Sequence, residues 1–243
     1  MPSSAGLPEV AALCATAFSV GAIHTVLGPD HYVPFAALAR AGGWSTGRTM
    51  LVTAACGLAH VGSSFVIGLA GLALGVAVLT LEGLEAVRGD VAGWLLVGFG
   101  LAYLVWGLVR AARSSARRAP HSHAHAHADG TVHPHGHTHD IAHLHHGPAA
   151  AVSTPWALFL IFAFGPCEPL IPLLMYPAAR ASPLAVIAVV VAFTVATVAT
   201  MMVAVAVLRS GTTLVPPTPL RRYAHALAGL AVLACGILVK VGL

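Results

Sequence analysis

The sequence predicts an all-α polytopic membrane protein. Six transmembrane helices form a 3+3 inverted repeat, with a helix in each half broken at a Gly-Pro step. Three observations predict it. The chain is 58% hydrophobic and only 8% charged, with a mean hydropathy of +0.85, whereas soluble domains carry about 25% charged residues. Six apolar segments (about 9–28, 48–79, 91–110, 154–177, 183–208 and 222–242) suffice to span a bilayer, since about 20 helical residues cross its hydrocarbon core. Finally, Gly28-Pro29-Asp30-His31 returns as Gly165-Pro166-Cys167-Glu168.

The first span has no basic residue before it in Met1 to Val10. It therefore does not read as a cleaved signal peptide, which would carry a basic n-region. It runs into Gly28-Pro29. Proline lacks an N–H and clashes with the carbonyl four residues back, so the step frees carbonyls near Thr25. Segment 32–39 is apolar but short, a re-entrant or interfacial piece after the break. The second span is long and reads as ending near Gly71 or Gly75; that Gly-x-x-x-Gly spacing permits helix packing. The fourth span contains Gly165-Pro166, which frees carbonyls near Phe162 in the same way.

The two breaks share their context. Apolar runs precede them, Ser19 to Leu27 and Trp156 to Phe164, and prolines follow, Pro34 and Pro172, then Arg40 and Arg180. The units are 1–110, a first three-helix repeat; 111–150, a polar loop; and 151–243, a second three-helix repeat. An odd number of spans per repeat forces the second to insert upside down, an arrangement common in secondary transporters. Gly/Pro interruptions at matching places in two halves point to a transporter's binding site.

Orientation follows from the basic residues. Arg40, Arg48, Arg110, Arg113, Arg117, Arg118, Arg209, Arg221 and Arg222 fall in the loops after spans one, three and five. The other side holds Arg88, Arg180 and Lys240, with Glu9, Glu82, Glu85 and Asp90. The odd loops are expected in the cytoplasm, both termini outside, in a bacterial-type inner membrane. The formal charge of +4 is thus segregated by loop and is no sign of nucleic-acid binding. No G-x-x-x-x-G-K-[ST] occurs, so no nucleotide is expected. The four cysteines (Cys14, Cys56, Cys167, Cys235) lie in apolar segments without a pairing pattern, against a disulfide scaffold.

The loop holds eleven of the fifteen histidines: His121, His123, His125, His127, His133, His135, His137, His139, His143, His145 and His146. With few apolar side chains it is expected to be disordered, and its composition reads as metal chelation. Outside it, His24, His31, His60 and His225 remain, with Asp30 and Glu168 as the acids that read as intramembrane. Ionisable groups inside spans are costly and mark pathways. Cys56 and His60 share a helix face, with Ser63 and Ser64 a turn further on. His225, beside Arg221 and Arg222, reads as interfacial; Cys14, Cys56 and Cys235 read as packing. Imidazole, thiolate and carboxylate together suit Ni²⁺, Co²⁺, Zn²⁺ or Cu, whereas Mg²⁺ and Ca²⁺ take oxygen.

At His24-Thr-Val-Leu-Gly-Pro-Asp30-His31, Ala59-His60-Val61-Gly62-Ser63 and the tract 121–146 the chain resembles the nickel/cobalt transporter superfamily, including its NicO and urease-accessory-type permeases. The spacing departs from the family's His-x4-Asp-His by one residue. In a straight helix it would set the Cα atoms of His24 and His31 about 10 Å apart. The resemblance implies a permease, not an enzyme, for Ni²⁺, Co²⁺ or Zn²⁺ as substrate, with no permanent cofactor. Asp30, His31, His60, Cys167 and Glu168 are the expected ligands, and His24 a ligand or a neighbour of the site. Gly28, Pro29, Gly165 and Pro166 hold the breaks. Transport is expected to be secondary and proton-linked, with export slightly favoured. Phe164-Gly-Pro-Cys-Glu-Pro169 also resembles the Gly/Pro-Cys motif of membrane thiol–disulfide carriers related to cytochrome c biogenesis proteins. This is the alternative, working through Cys167, although Asp30 stands where such a carrier would hold its second cysteine. A third class, an anion or amino-acid exporter, is disfavoured because no arginine reads as buried.

Overall fold

A computed structural model describes residues 6–117, 121–126, 132–137, 148–179, 182–211 and 222–242; over 114–153 the description is of backbone alone. Eight helices are described: α1 (Leu7–Leu27), α2 (Val33–Ala41), α3 (Thr46–Ala73), α4 (Val78–Arg117), α5 (Pro148–Phe164), α6 (Leu170–Ala179), α7 (Pro183–Gly211) and α8 (Ala224–Lys240). A single 3-10 turn, Pro29–His31, joins α1 to α2. Two short strands, β1 (His121–Ala126) and β2 (Val132–His137), pair antiparallel with each other. Metal binding by the loop histidines lies outside what is described of side chains, and Arg118, Arg180 and Arg221 lie outside the described residues.

Among the described residues, four helices are long and apolar enough to cross a membrane: Leu7–Leu27, Thr46–Ala73, Val78–Arg113 and Pro183–Gly211. Two shorter apolar helices, Thr154–Phe164 and Ala224–Lys240, accompany them. Leu51, Val66 and Val203 are more than 60% exposed on their outward faces. This fits a multi-pass membrane protein, in which lipid replaces water around the bundle. Polar caps still appear at helix ends: the Ser45 hydroxyl accepts from the Arg48 N–H at the start of α3, satisfying one of the end's unpaired donors.

Each half reads helix, break, short helix, long helix, last helix. Exchanging α1 with α5, α2 with α6, α3 with α7 and α4 with α8 turns most packing pairs into other observed ones. α1 packs on α7 as α5 packs on α3; α2 packs on α8 as α6 packs on α4; α2 meets α7 as α6 meets α3. α3 with α7 and α4 with α8 map onto themselves, while α4 also meets α5 without a strong counterpart. The halves are therefore interleaved rather than side by side.

The closest pairing is α4 with α8. A Cβ at Gly100 would strike the Leu233 backbone, and one at Gly229 would strike the Leu104 backbone. Small residues let two backbones meet where lipid supplies no hydrophobic drive between helices. One core cluster joins Phe35, Leu38, Leu158, Phe162, Met201 and Val232. A second joins Val61, Cys167, Leu170, Leu174, Val189 and Phe193.

One sequence expectation changes here. The third span begins well before residue 91, because α4 runs unbroken from Val78 and takes Glu82, Glu85, Arg88 and Asp90 into the helix. The Gly71-x-x-x-Gly75 spacing lies at the end of α3, where Gly71 packs against the start of α4. Gly71 faces Leu81 across the α3–α4 turn, and Gly75 has a φ of 66° within it, a conformation that favours glycine.

Candidate metal centre

The site starts from the first break. Gly28 closes α1 by donating its N–H to the His24 carbonyl, and Pro29 cannot continue the ladder. The Val26 carbonyl, next to the break, accepts from the Tyr32 hydroxyl at 3.1 Å. The turn folds His31 back toward α1. Its ring centroid lies 4.9 Å from that of His24, edge to face. This overcomes the straight-helix separation that one extra residue would have imposed.

Three imidazoles gather there. His60, from the middle of α3, brings its Nε2 to 3.4 Å from His31 Nε2, and its ring stacks on His24 with centroids 6.3 Å apart. His31 Nδ1 lies 3.1 Å from Asp30 Oδ1 and 3.2 Å from the Gly28 carbonyl. Both are acceptors, so Nδ1 carries the proton. Carboxylate support of this kind orients metal-binding imidazoles. His24 Nε2 and His60 Nδ1 are buried without a hydrogen-bond partner. Buried polar atoms are nearly always paired, so two unpaired imidazole nitrogens in one place are open to a ligand.

The second break supplies the thiol. Cys167 is fully buried, and ligand atoms of His24, His60 and Cys167 all lie within 4.8 Å of one another. Tetrahedral ligands about 2.0–2.3 Å from an ion stand roughly 3.3–3.8 Å apart, so the widest pair needs to close by about 1 Å. Beside them opens a cavity of about 400 Å³, lined by His24, Asp30, His31, His60, Phe162 and Glu168 among others.

The sequence-predicted residues thus fall into three groups. His24, His60 and Cys167 converge, with His31 against His60. Asp30 sits behind His31, against its Nδ1, and also lines the cavity. Glu168 lines that cavity opposite the imidazoles' break, yet does not join the convergent ligand group. Gly28, Pro29, Gly165 and Pro166 form the two breaks. Cys56 is buried in the core, and His225 Nδ1 contacts the Tyr103 hydroxyl at 2.9 Å, away from the site.

Sequence reasoning missed Glu85 and Arg88. Glu85 is fully buried and pairs with Arg88, whose side chain is 12% exposed. The expectation that Asp30 and Glu168 are the only acids held inside is therefore corrected by Glu85, and Arg88 beside it is partly buried. The two charges neutralise each other one turn apart, and this lets α4 carry them inside. The available signal was the i,i+3 spacing of opposite charges beside an apolar run. Compared with protein-family models, curated proteins and solved structures, the chain matches none.

Proposed function

We propose that the protein is a membrane permease for a divalent transition metal ion, Ni²⁺, Co²⁺ or Zn²⁺. The observation that carries this reading is the convergence of His24, His60 and Cys167 within 4.8 Å beside a cavity. Nitrogen and sulfur donors favour borderline and soft ions over Mg²⁺ or Ca²⁺. The imidazoles come from the first half and the thiol from the second. Movement of one half against the other then makes and breaks the ion's coordination, which is what alternating access requires.

The mirrored packing pairs support a six-span inverted repeat, with α5 and α8 as the shorter spans. The ion is substrate, not a resident cofactor. The proton displaced from the thiol on loading couples flux to the pH gradient, with export slightly favoured. The reading includes a bacterial-type inner membrane, the His-rich loop in the cytoplasm and both termini outside. The thiol–disulfide alternative draws no support from Cys167, whose grouped neighbours are imidazoles rather than a second cysteine.

The test is metal flux into proteoliposomes, with residues 119–149 deleted to remove chelation by the loop. Ni²⁺, Co²⁺, Zn²⁺ and Mg²⁺ are offered in turn to this protein and to its His60→Ala/Cys167→Ala variant. Transition-metal flux that the double substitution abolishes supports the reading. Equal flux in both proteins, or none of any ion, sinks it and makes thiol reduction at Cys167 the next assay.

A further inference from the structure

Behind the candidate ligands lies a buried polar network that the ion would not touch. Glu85 Oε2 accepts from the Ser64 hydroxyl at 2.7 Å and from the Cys167 backbone N–H at 3.1 Å. Ser64 Oγ also accepts from that N–H at 3.0 Å. Arg88 pairs with Glu85 Oε1 and donates to Ser63 Oγ at 2.7 Å and to the Ala163 carbonyl at 3.0 Å. It reaches the Gly165 carbonyl at 3.4 Å. The Ser63 hydroxyl in turn donates to the carbonyl of His60 at 2.9 Å.

The arrangement has two arms. One grips α3 beside His60, through Ser63 and Ser64. The other grips the broken end of α5, at Ala163, Gly165 and the amide of Cys167. α5 ends at Phe164, so these backbone groups lack helical partners, and Glu85, Ser64 and Arg88 supply them. A third helix thereby sets the distance between the imidazole-bearing and thiol-bearing elements.

We propose that Glu85 and Arg88 are positioning residues for the ion site, holding the Cys167 thiol against His60 so that one ion meets both. This rests on the metal-permease reading and deepens it. The guanidinium fork is essential to the geometry. Its planar donors serve several acceptors at once, whereas a lysine presents one ammonium that cannot span them.

The experiment is Co²⁺ titration of the purified loop-deleted protein, following the thiolate-to-Co²⁺ charge-transfer band. Cys167→Ser identifies the band. Glu85→Gln and Arg88→Lys are expected to lower Co²⁺ affinity about 10- to 100-fold, the usual cost of losing groups that orient metal ligands, and to weaken the band relative to bound Co²⁺. A merely structural role would leave the band per bound ion unchanged. Should both variants lose the helical circular dichroism of the parent, Ser64→Ala decides by the same two readouts, since it removes one hydroxyl and no charge. Folded variants that keep the parent's affinity and band overturn the positioning role alone. A parent protein with no Cys167-dependent band overturns the permease reading itself.

Discussion

The Nε2 atoms of His31 and His60 lie 3.4 Å apart, while Nδ1 of His31 faces the Asp30 carboxylate and the Gly28 carbonyl. Asp30 therefore fixes which nitrogen of His31 is free. Asp30→Asn can turn its amide NH₂ toward Nδ1 and so favour the opposite tautomer, with the proton on Nε2. Metal affinity is expected to fall about 10- to 100-fold in a protein that still folds. Isothermal titration with Ni²⁺ or Zn²⁺ checks this, and unchanged affinity would remove Asp30 from the site's support.

Gly28 is a narrower point. A Cβ there would stand 2.6 Å from His31 Nδ1 and 2.9 Å from Asp30 Oδ1. Its backbone, at φ −92° and ψ 94°, is open to alanine, so Gly28→Ala acts by displacing those two side chains. Flux at low ion concentration is expected to drop by about tenfold or more, the equivalent of roughly 1.4 kcal/mol at the site. Expression and helical content should stay at the parent level. Parental flux in Gly28→Ala would show that His31 and Asp30 do not act on the ion.

Protons and a metal ion compete for the same lone pairs on imidazole and thiolate. Lowering pH from 7 to 5 should therefore weaken binding by the loop-deleted protein, and raising it should strengthen binding. A thiol holds its proton across this range, so carrying out the titration in buffers of differing ionisation enthalpy counts the protons released per ion. Binding that is flat across this range would argue for oxygen ligands instead.

The α4–α8 contact makes a paired stability prediction. Gly229→Ala drives a methyl into the Leu104 backbone, whereas Gly98, on the same pair of helices, has open space around its Cβ position. Overpacking should cost about 1–3 kcal/mol at Gly229. Gly98→Ala should instead gain up to about 1 kcal/mol from helix propensity. Resistance to unfolding on titration with sodium dodecyl sulfate separates the two; equal behaviour would mean that the close approach does not hold the helices together.

Apolar helices and the two Gly-Pro breaks were legible in the sequence, because each is a local property. Hydropathy sums over neighbours, proline acts on its own turn, and His24, Asp30, His31, His60 and Cys167 stand out as polar groups in apolar runs. The β1–β2 pairing and the extent of α4 were not legible in this way. Glu82 to Asp90 resembles a polar connection when taken alone, and only the partners that bury Glu85 and Arg88 make it helix interior.

Tertiary structure alone decided which candidates meet. Cys167 joins His24 and His60 across more than a hundred residues of chain, a closeness produced by α3 packing on α5 and α1 on α7. It also gave the acids beside the two Gly-Pro steps different contacts along one cavity, setting Asp30 on the Nδ1 of His31 and leaving Glu168 outside the convergent ligand group. A recurring Gly-Pro step dictates similar breaks, because the same residues stop both helices. It does not dictate equivalent contacts, because each break meets a different partner: an imidazole at the first, and the Glu85–Arg88 pair at the second.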